Sequence, residues 1–280
     1  MKKLIVLLNF LLILMLTACK SEEYSPTPDE TIVSAVLKSF NLFPNVINND
    51  TFILEDNFNG QAIKWEYDTA YITKNGNNYH IKKDGTVKLK AIIDNFYDDN
   101  YTLEIKNKTI KSLKLKNLKI NYAFITDSKK IGPQMTPTII VFHNTANTAS
   151  SYNEVMYLAS KANNSSTSFH FAVDDQEIWQ AIPLTNASFH AGNYEINCNS
   201  IGIEIAKSML SDNKIKDIAI NNALLLINLL SAYYQITIDN IIPHKEASGK
   251  YCPHDFFDRN LIDSFYFALN ELKNENAFSL

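Results

Sequence analysis

The rhythm of apolar and polar positions changes three times along the chain. From Leu4 to Leu16 an apolar run of 13 residues is broken only by Asn9. As a helix it would reach about 20 Å, short of the roughly 30 Å hydrocarbon core of a bilayer. Behind the basic start Met1-Lys2-Lys3, it has the layout of an export signal rather than of a permanent membrane helix. From about Asp29 to Asn107 short apolar stretches alternate with turn-forming clusters: Asn48-Asn49-Asp50, Asn59-Gly60, Asn75-Gly76, Asp84-Gly85 and Asp98-Asp99-Asn100. That spacing predicts an all-β unit. Thr86 to Ala91 and Tyr101 to Ile105 alternate as half-buried strands do. Thr109 to Tyr122 continues as a β-rich connector, with Leu113, Leu115 and Leu118 expected to be buried.

From about Ile120 strands alternate with helical segments, the pattern of an α/β domain. The pattern predicts a strand over Thr138 to Phe142 and a helix over Ser151 to Ala162. A strand pair follows, Phe169 to Val173 and Ile178 to Ile182, turning at Asp174-Asp175. Ser200 to Ala206 is expected to be a strand, Asp217 to Tyr234 a long apolar helix, and Ile262 to Leu272 a closing helix.

Charge and cysteine content narrow the setting. With 26 basic against 30 acidic side chains the net charge is −4, so no basic surplus exists to neutralise phosphates and nucleic acid is excluded as a partner. Leu16-Thr17-Ala18-Cys19 resembles the lipobox of bacterial lipoproteins, whose Cys is acylated and becomes the mature N terminus. The resemblance implies a signal peptide over residues 1–18 and a lipid anchor at Cys19. The protein would then be exported and held on the outer face of the cytoplasmic membrane or on the outer membrane. Residues 19–28 are polar with two prolines and read as a tether. With Cys19 so used, Cys198 and Cys252 are the remaining thiols; a disulfide between them competes with any metal role for Cys252. Over residues 29–117, Leu42-Phe43-Pro44, Ile63-Lys64-Trp65 and Asp84-Gly85-Thr86-Val87 resemble the degenerate immunoglobulin-like modules of bacterial surface proteins. That implies a small β-sandwich with Trp65 in its core.

The chemistry gathers in residues 118–280. His143 ends the strand Ile139-Ile140-Val141-Phe142, and strand ends in α/β domains are where ligands sit. A lone His there is usually structural. A second cluster, from Pro243-His244 to Cys252-Pro253, offers an imidazole and a thiol eight residues apart across Ser248-Gly249. Both are good zinc ligands, and His143 would complete a three-ligand set with a fourth position open to water. In Ile201-Gly202-Ile203-Glu204-Ile205 the isoleucines share one strand face, leaving Gly202 and Glu204 on the other. A carboxylate in so apolar a strand needs a partner or a task.

Five ordered segments carry a closer resemblance: His143 to Asn147, Thr167 to Asp175, His190-Ala191-Gly192, Ser200 to Ile205 and His244 to Pro253. Together they resemble zinc-dependent N-acetylmuramoyl-L-alanine amidases of the phage-lysozyme and peptidoglycan-recognition-protein fold. The family implies a central mixed β-sheet flanked by helices and one zinc ion per chain, held by His143, His244 and Cys252. It also implies hydrolysis of the bond between N-acetylmuramic acid and L-alanine, with peptidoglycan or a muropeptide as partner and the protein a monomer. Glu204 would be the general base, Lys250 would stabilise the transition state, and His190, Asn144 and Thr145 would contact substrate. Some members carry a catalytic Tyr where this chain has Phe169, which has no proton to give, so more of the chemistry falls on Glu204. His170, adjacent to it, is expected to be structural. The competing reading is a binding module of the same fold that holds muropeptide without cutting it.

Overall fold

The computed structural model describes residues 45–277 except 49, 59–60, 94–95, 116–117 and 209–213. The expected signal peptide, Cys19, the tether and residues 29–44 lie outside the described residues. Among the described residues no helix is long and apolar enough to cross a membrane.

The first half is all-β, as its turn clusters predict. Its strands are β1 (Asn45–Asn48), β2 (Thr51–Ile53), β3 (Asn57–Phe58), β4 (Gln61–Ala62), β5 (Lys64–Tyr67) and β6 (Ile72–Asn75). β7 (Asn78–Ile81), β8 (Gly85–Ile93), β9 (Phe96–Lys106), β10 (Thr109–Leu115) and β11 (Leu118–Tyr122) follow. Period-two alternation is plain in β8, where Val87, Leu89, Ala91 and Ile93 are buried between more exposed neighbours. Trp65 is a core residue: its ring meets Tyr101 edge-on at 5.5 Å, and its Nε1 donates to the Glu55 carbonyl at 2.7 Å. One expected turn is absent. Asp98-Asp99-Asn100 lies inside β9, because Ala91 pairs with Asp98 and Ile93 with Phe96, so the reversal falls earlier in the chain.

The second half contains β12 (Ile139–Asn144), α1 (Ser151–Ala159), β13 (Phe171–Val173), β14 (Ile178–Gln180), α2 (Tyr194–Asn197) and β15 (Ser200–Ile205). It ends with α3 (Asp217–Tyr233), β16 (Ile241–Pro243), α4 (His244–Ser248), α5 (His254–Asp258) and α6 (Ile262–Ala277). A ten-stranded mixed sheet, ordered β16-β12-β15-β13-β14-β11-β10-β9-β8-β5, runs through both halves. The junction is β11, antiparallel to β10 and parallel to β14 through Ile120↔Ile178. The connector of the sequence reading is therefore part of the sheet, with Leu113 buried and Leu118 half-buried. A four-stranded sheet, β1-β2-β7-β6, shares the same apolar core.

Helices pack on the strands of the second half. α1, whose first turn is capped by Ser150 accepting from the Asn153 N–H at 3.2 Å, packs on β13 and β14. α3 buries Ala219, Ala223, Leu226 and Leu230 and packs on β11, β13, β15 and α6. The apolar strand residues between these layers hold the C-terminal strand ends in place.

Candidate metal centre

Three parallel neighbours in the sheet end at one rim. His143 of β12 pairs in register with Glu204 of β15, and Phe142 pairs with Pro243, the last residue of β16. The chain leaving β16 therefore delivers His244 at once, as the first residue of α4. Phe142 points to the opposite face from His143, where it packs on Phe265 at 4.8 Å and Phe256 at 5.7 Å. The His143 ring is carried on a strand whose other side is locked in the core.

Cys252 returns to this rim because α4 is short and stops at Gly249. Gly249 has φ +81°, in the left-handed region that glycine adopts without steric cost. The returning segment is fixed by Lys245 N–H donating to the Cys252 carbonyl at 2.8 Å. The sulfur then lies 3.8 Å from His143 Nδ1, and the His143 and His244 rings are 4.4 Å apart between centroids. Ligand atoms of His143, His244 and Cys252 all lie within 4.8 Å of one another, and all three residues are buried. Cys198 and Cys252 are both free thiols, so the competing disulfide is not formed.

The donor set fits zinc. Burial lowers His143 well below the ordinary imidazole value, with His190, His244 and Lys250 adding to the effect. Burial and then Lys250 lower His244 as well. Both rings therefore offer lone pairs at neutral pH. Neither ring nitrogen of His244 makes a hydrogen bond although both are buried, a deficit that a cation would remove on one side. Burial, reinforced by Glu204, pushes the Cys252 thiol up to about 11. A thiol held neutral in this way becomes a ligand when a cation displaces its proton.

The three residues form one wall of a cavity of about 340 Å³ that Thr145, Glu154, Phe169, Glu204 and Lys250 also line. Glu204 is 22% exposed at its side chain, with Oε1 3.9 Å from His143 Nδ1. Burial raises its carboxyl to about 8; the Glu154 carboxylate adds to this and Lys250 opposes it. Lys250 is exposed on the loop between Gly249 and Cys252.

His143, Asn144, Thr145, His190, Glu204, His244, Lys250 and Cys252, the residues given site roles from the sequence, all line that cavity, yet some are engaged with protein. Asn144 Oδ1 accepts from the Asp255 N–H at 3.0 Å, and its Nδ2 donates to the Thr145 carbonyl at 2.9 Å. It thereby ties the end of β12 to α5, the helix that follows Cys252-Pro253. Thr145 Oγ1 donates to the Asn147 carbonyl at 3.2 Å. Both ring nitrogens of His190 have protein partners, His143 and Ser200, and burial lowers its pKa to about 3. His170 is fully buried, with Nδ1 accepting from Ser188 and the Gly202 N–H and Nε2 donating to the Asn186 carbonyl. Sequence reasoning missed Glu154, whose Oε1 is buried without a partner. Its position beside Val155 and Leu158 on the apolar side of α1 was the available signal.

Residues 133–255 match the family described as N-acetylmuramoyl-L-alanine amidase. The chain carries a domain of this family. Among curated relatives, the amidase CwlA of Bacillus sp is 39% identical over 135 residues, covering 47% of this chain and 53% of its own length. XlyB of Bacillus subtilis (strain 168) is 39% identical over 143 residues, with 50% and 44% covered. Both are named N-acetylmuramoyl-L-alanine amidases. The chain spans about half the length of these curated relatives. The solved catalytic domain of XlyA is 39% identical, covers 54% of this chain and 98% of that one, and superposes with a TM-score of 0.49. The amidase match contains His143, Glu204, His244, Lys250 and Cys252 together.

Proposed function

We propose that the chain hydrolyses the amide bond between the lactyl group of N-acetylmuramic acid and L-alanine in peptidoglycan, with one zinc ion held by His143, His244 and Cys252. The observation that carries this reading is the convergence of two imidazoles and a thiol, from segments about a hundred residues apart, on one spot beside Glu204. When bound, zinc supplies Lewis acidity that polarises the scissile carbonyl and eases deprotonation of water.

The chain's own residues do the rest. Glu204 lines the cavity beside His143, where it takes a proton from the attacking water and passes it to the amine nitrogen as the C–N bond breaks. One water is consumed; the lactyl carbon becomes a carboxyl group and the stem peptide gains a free amino terminus. Lys250 brings a positive charge to the carbonyl oxygen as negative charge develops there. Phe169 gives the cavity an apolar wall and no proton, so acid and base duties both rest on Glu204. Asn144 and Thr145 shape the floor through their bonds to the main chain.

The reading extends to the setting. Residues 1–18 direct export, acylated Cys19 anchors the protein to a membrane facing the wall, and the β-rich half is an immunoglobulin-like spacer or wall-binding arm. The enzyme then serves wall turnover, recycling or lysis as a monomer. The test is a digest of purified peptidoglycan by the full chain and by Glu204→Gln, with mass spectrometry of the products. Stem peptides beginning with L-alanine and intact glycan strands are expected from the wild type. Retention on the wall without release by either protein would instead identify a binding module.

A further inference from the structure

His143 has a second ring nitrogen, and it faces protein. Its Nε2 lies 3.1 Å from Nδ1 of His190. His190 Nε2 lies 3.1 Å from Oγ of Ser200, which lies 2.6 Å from the Ile196 carbonyl oxygen. All three side chains are buried. The direction of every proton in this row follows from its last member. A carbonyl oxygen only accepts, so the Ser200 hydroxyl donates to Ile196. The Ser200 oxygen then accepts from His190, which places the His190 proton on Nε2. Neutral His190 is left with a bare Nδ1, and that atom takes the Nε2–H of His143. His143 Nδ1 therefore keeps its lone pair, and it is the nitrogen 3.8 Å from the Cys252 sulfur.

We propose that His190 and Ser200 are positioning residues that fix the tautomer of His143, so that Nδ1 is its metal-binding atom. The inference rests on the zinc reading of the site given above. Two further features hold the row in place. The main-chain N–H groups of His190 and Ala191 both donate to Asn197 Oδ1, at 3.0 and 2.8 Å, which fixes the segment carrying the ring. Gly202 leaves the space the ring occupies, since a Cβ there would stand 2.5 Å from His190 Cγ. The group behind the metal-binding His is thus a neutral imidazole in place of the more usual carboxylate, carbonyl or water, and its polarity is set by one hydroxyl. Without that hydroxyl, His190 is free to carry its proton on Nδ1, donate to His143 Nε2 and drive the His143 proton onto the metal-binding atom.

Two measurements on the full chain test this. In zinc-free protein labelled with ¹⁵N at histidine, long-range nitrogen–proton correlations should show both His143 and His190 protonated at Nε2; a proton on Nδ1 of either ring overturns the proposal. This readout involves no activity, so it stands even if the amidase reading fails. Zinc affinity, from competition with a chelator, should fall about 10–100-fold in His190→Ala and Ser200→Ala. His190→Asn, which keeps an acceptor near the Nδ1 position, should stay within a few-fold of wild type. Unchanged affinity in the two Ala variants, or an Asn variant as weak as Ala, would overturn it. Should a variant fail to fold, the tautomers of the wild type still decide.

Discussion

Gly202→Ala adds a single methyl group at a crowded point behind the cleft. The new Cβ would stand 2.5 Å from Cγ, 2.6 Å from Cδ2 and 2.9 Å from Nδ1 of His190. Comfortable carbon–carbon contact begins at about 3.5 Å, so the ring must retreat by about 1 Å. Its backbone is held by Asn197 and its Nε2 by Ser200, so retreat disturbs bonds on every side. It would open the 3.1 Å His143–His190 bond to about 4 Å, beyond hydrogen-bond reach. Overpacking of this kind costs about 1–3 kcal/mol. The lower entropy of the unfolded chain with Ala offsets roughly 0.4–1 kcal/mol of that. The net loss of roughly 1–2 kcal/mol lowers Tm by about 2–8 °C in a chain of this size. Zinc affinity should fall by about 10–100-fold as His143 loses its support. Thermal unfolding of zinc-free protein and chelator competition measure the two effects separately. An unchanged Tm would refute the packing reasoning. A lowered Tm with undiminished zinc affinity would refute the link from His190 to the metal site.

Glu204→Gln should slow stem-peptide release by about 10²–10⁴-fold while leaving one zinc per chain, as measured by elemental analysis; loss of the metal would make Glu204 a ligand instead. Lys250→Ala should lower kcat by roughly 10²–10³-fold without changing zinc content, and steady-state kinetics on soluble muropeptide would show it. At pH 9, zinc uptake should release about one proton more from the wild type than from Cys252→Ser, beyond the proton that zinc-bound water gives up in both. The Cys252 thiol, held up to about 11, is still protonated there, whereas His143 and His244, held below their ordinary values, are already neutral. Affinity therefore rises with pH up to the thiol value and falls as pH is lowered. Calorimetry in two buffers of different ionisation heat counts the protons, and an equal count in the wild type and Cys252→Ser would remove the thiol from the ligand set.

Local periodicity made the site-bearing elements legible. The run Ile139-Ile140-Val141-Phe142 marked β12, and the alternation of Ile201, Ile203 and Ile205 set Glu204 on the face opposite the core. The ligands were legible because His, His and Cys are scarce residue types, and two of them flank a Ser-Gly bend that does turn, at Gly249. Contacts between distant segments left no such trace. The parallel pairing of β11 with β14, which merges the two halves into one sheet, joins segments nearly sixty residues apart, and each alone reads as an ordinary strand. α4 and α5 have five residues each, too few to show a helical period. Nor can a sequence report that both nitrogens of His190 are engaged by protein, or that the Asn144 amide is bonded to the main chain; those facts depend on Ser200 and Asp255 arriving from elsewhere.

The central claim is that two imidazole nitrogens and one sulfur hold a single zinc. X-ray absorption at the zinc edge of the loaded full chain tests it directly. One sulfur scatterer at about 2.3 Å and two imidazole nitrogens at about 2.0 Å are expected, with a light atom completing the shell, and the sulfur missing in Cys252→Ser. A shell without sulfur in the wild type, or one unchanged by that substitution, would contradict it.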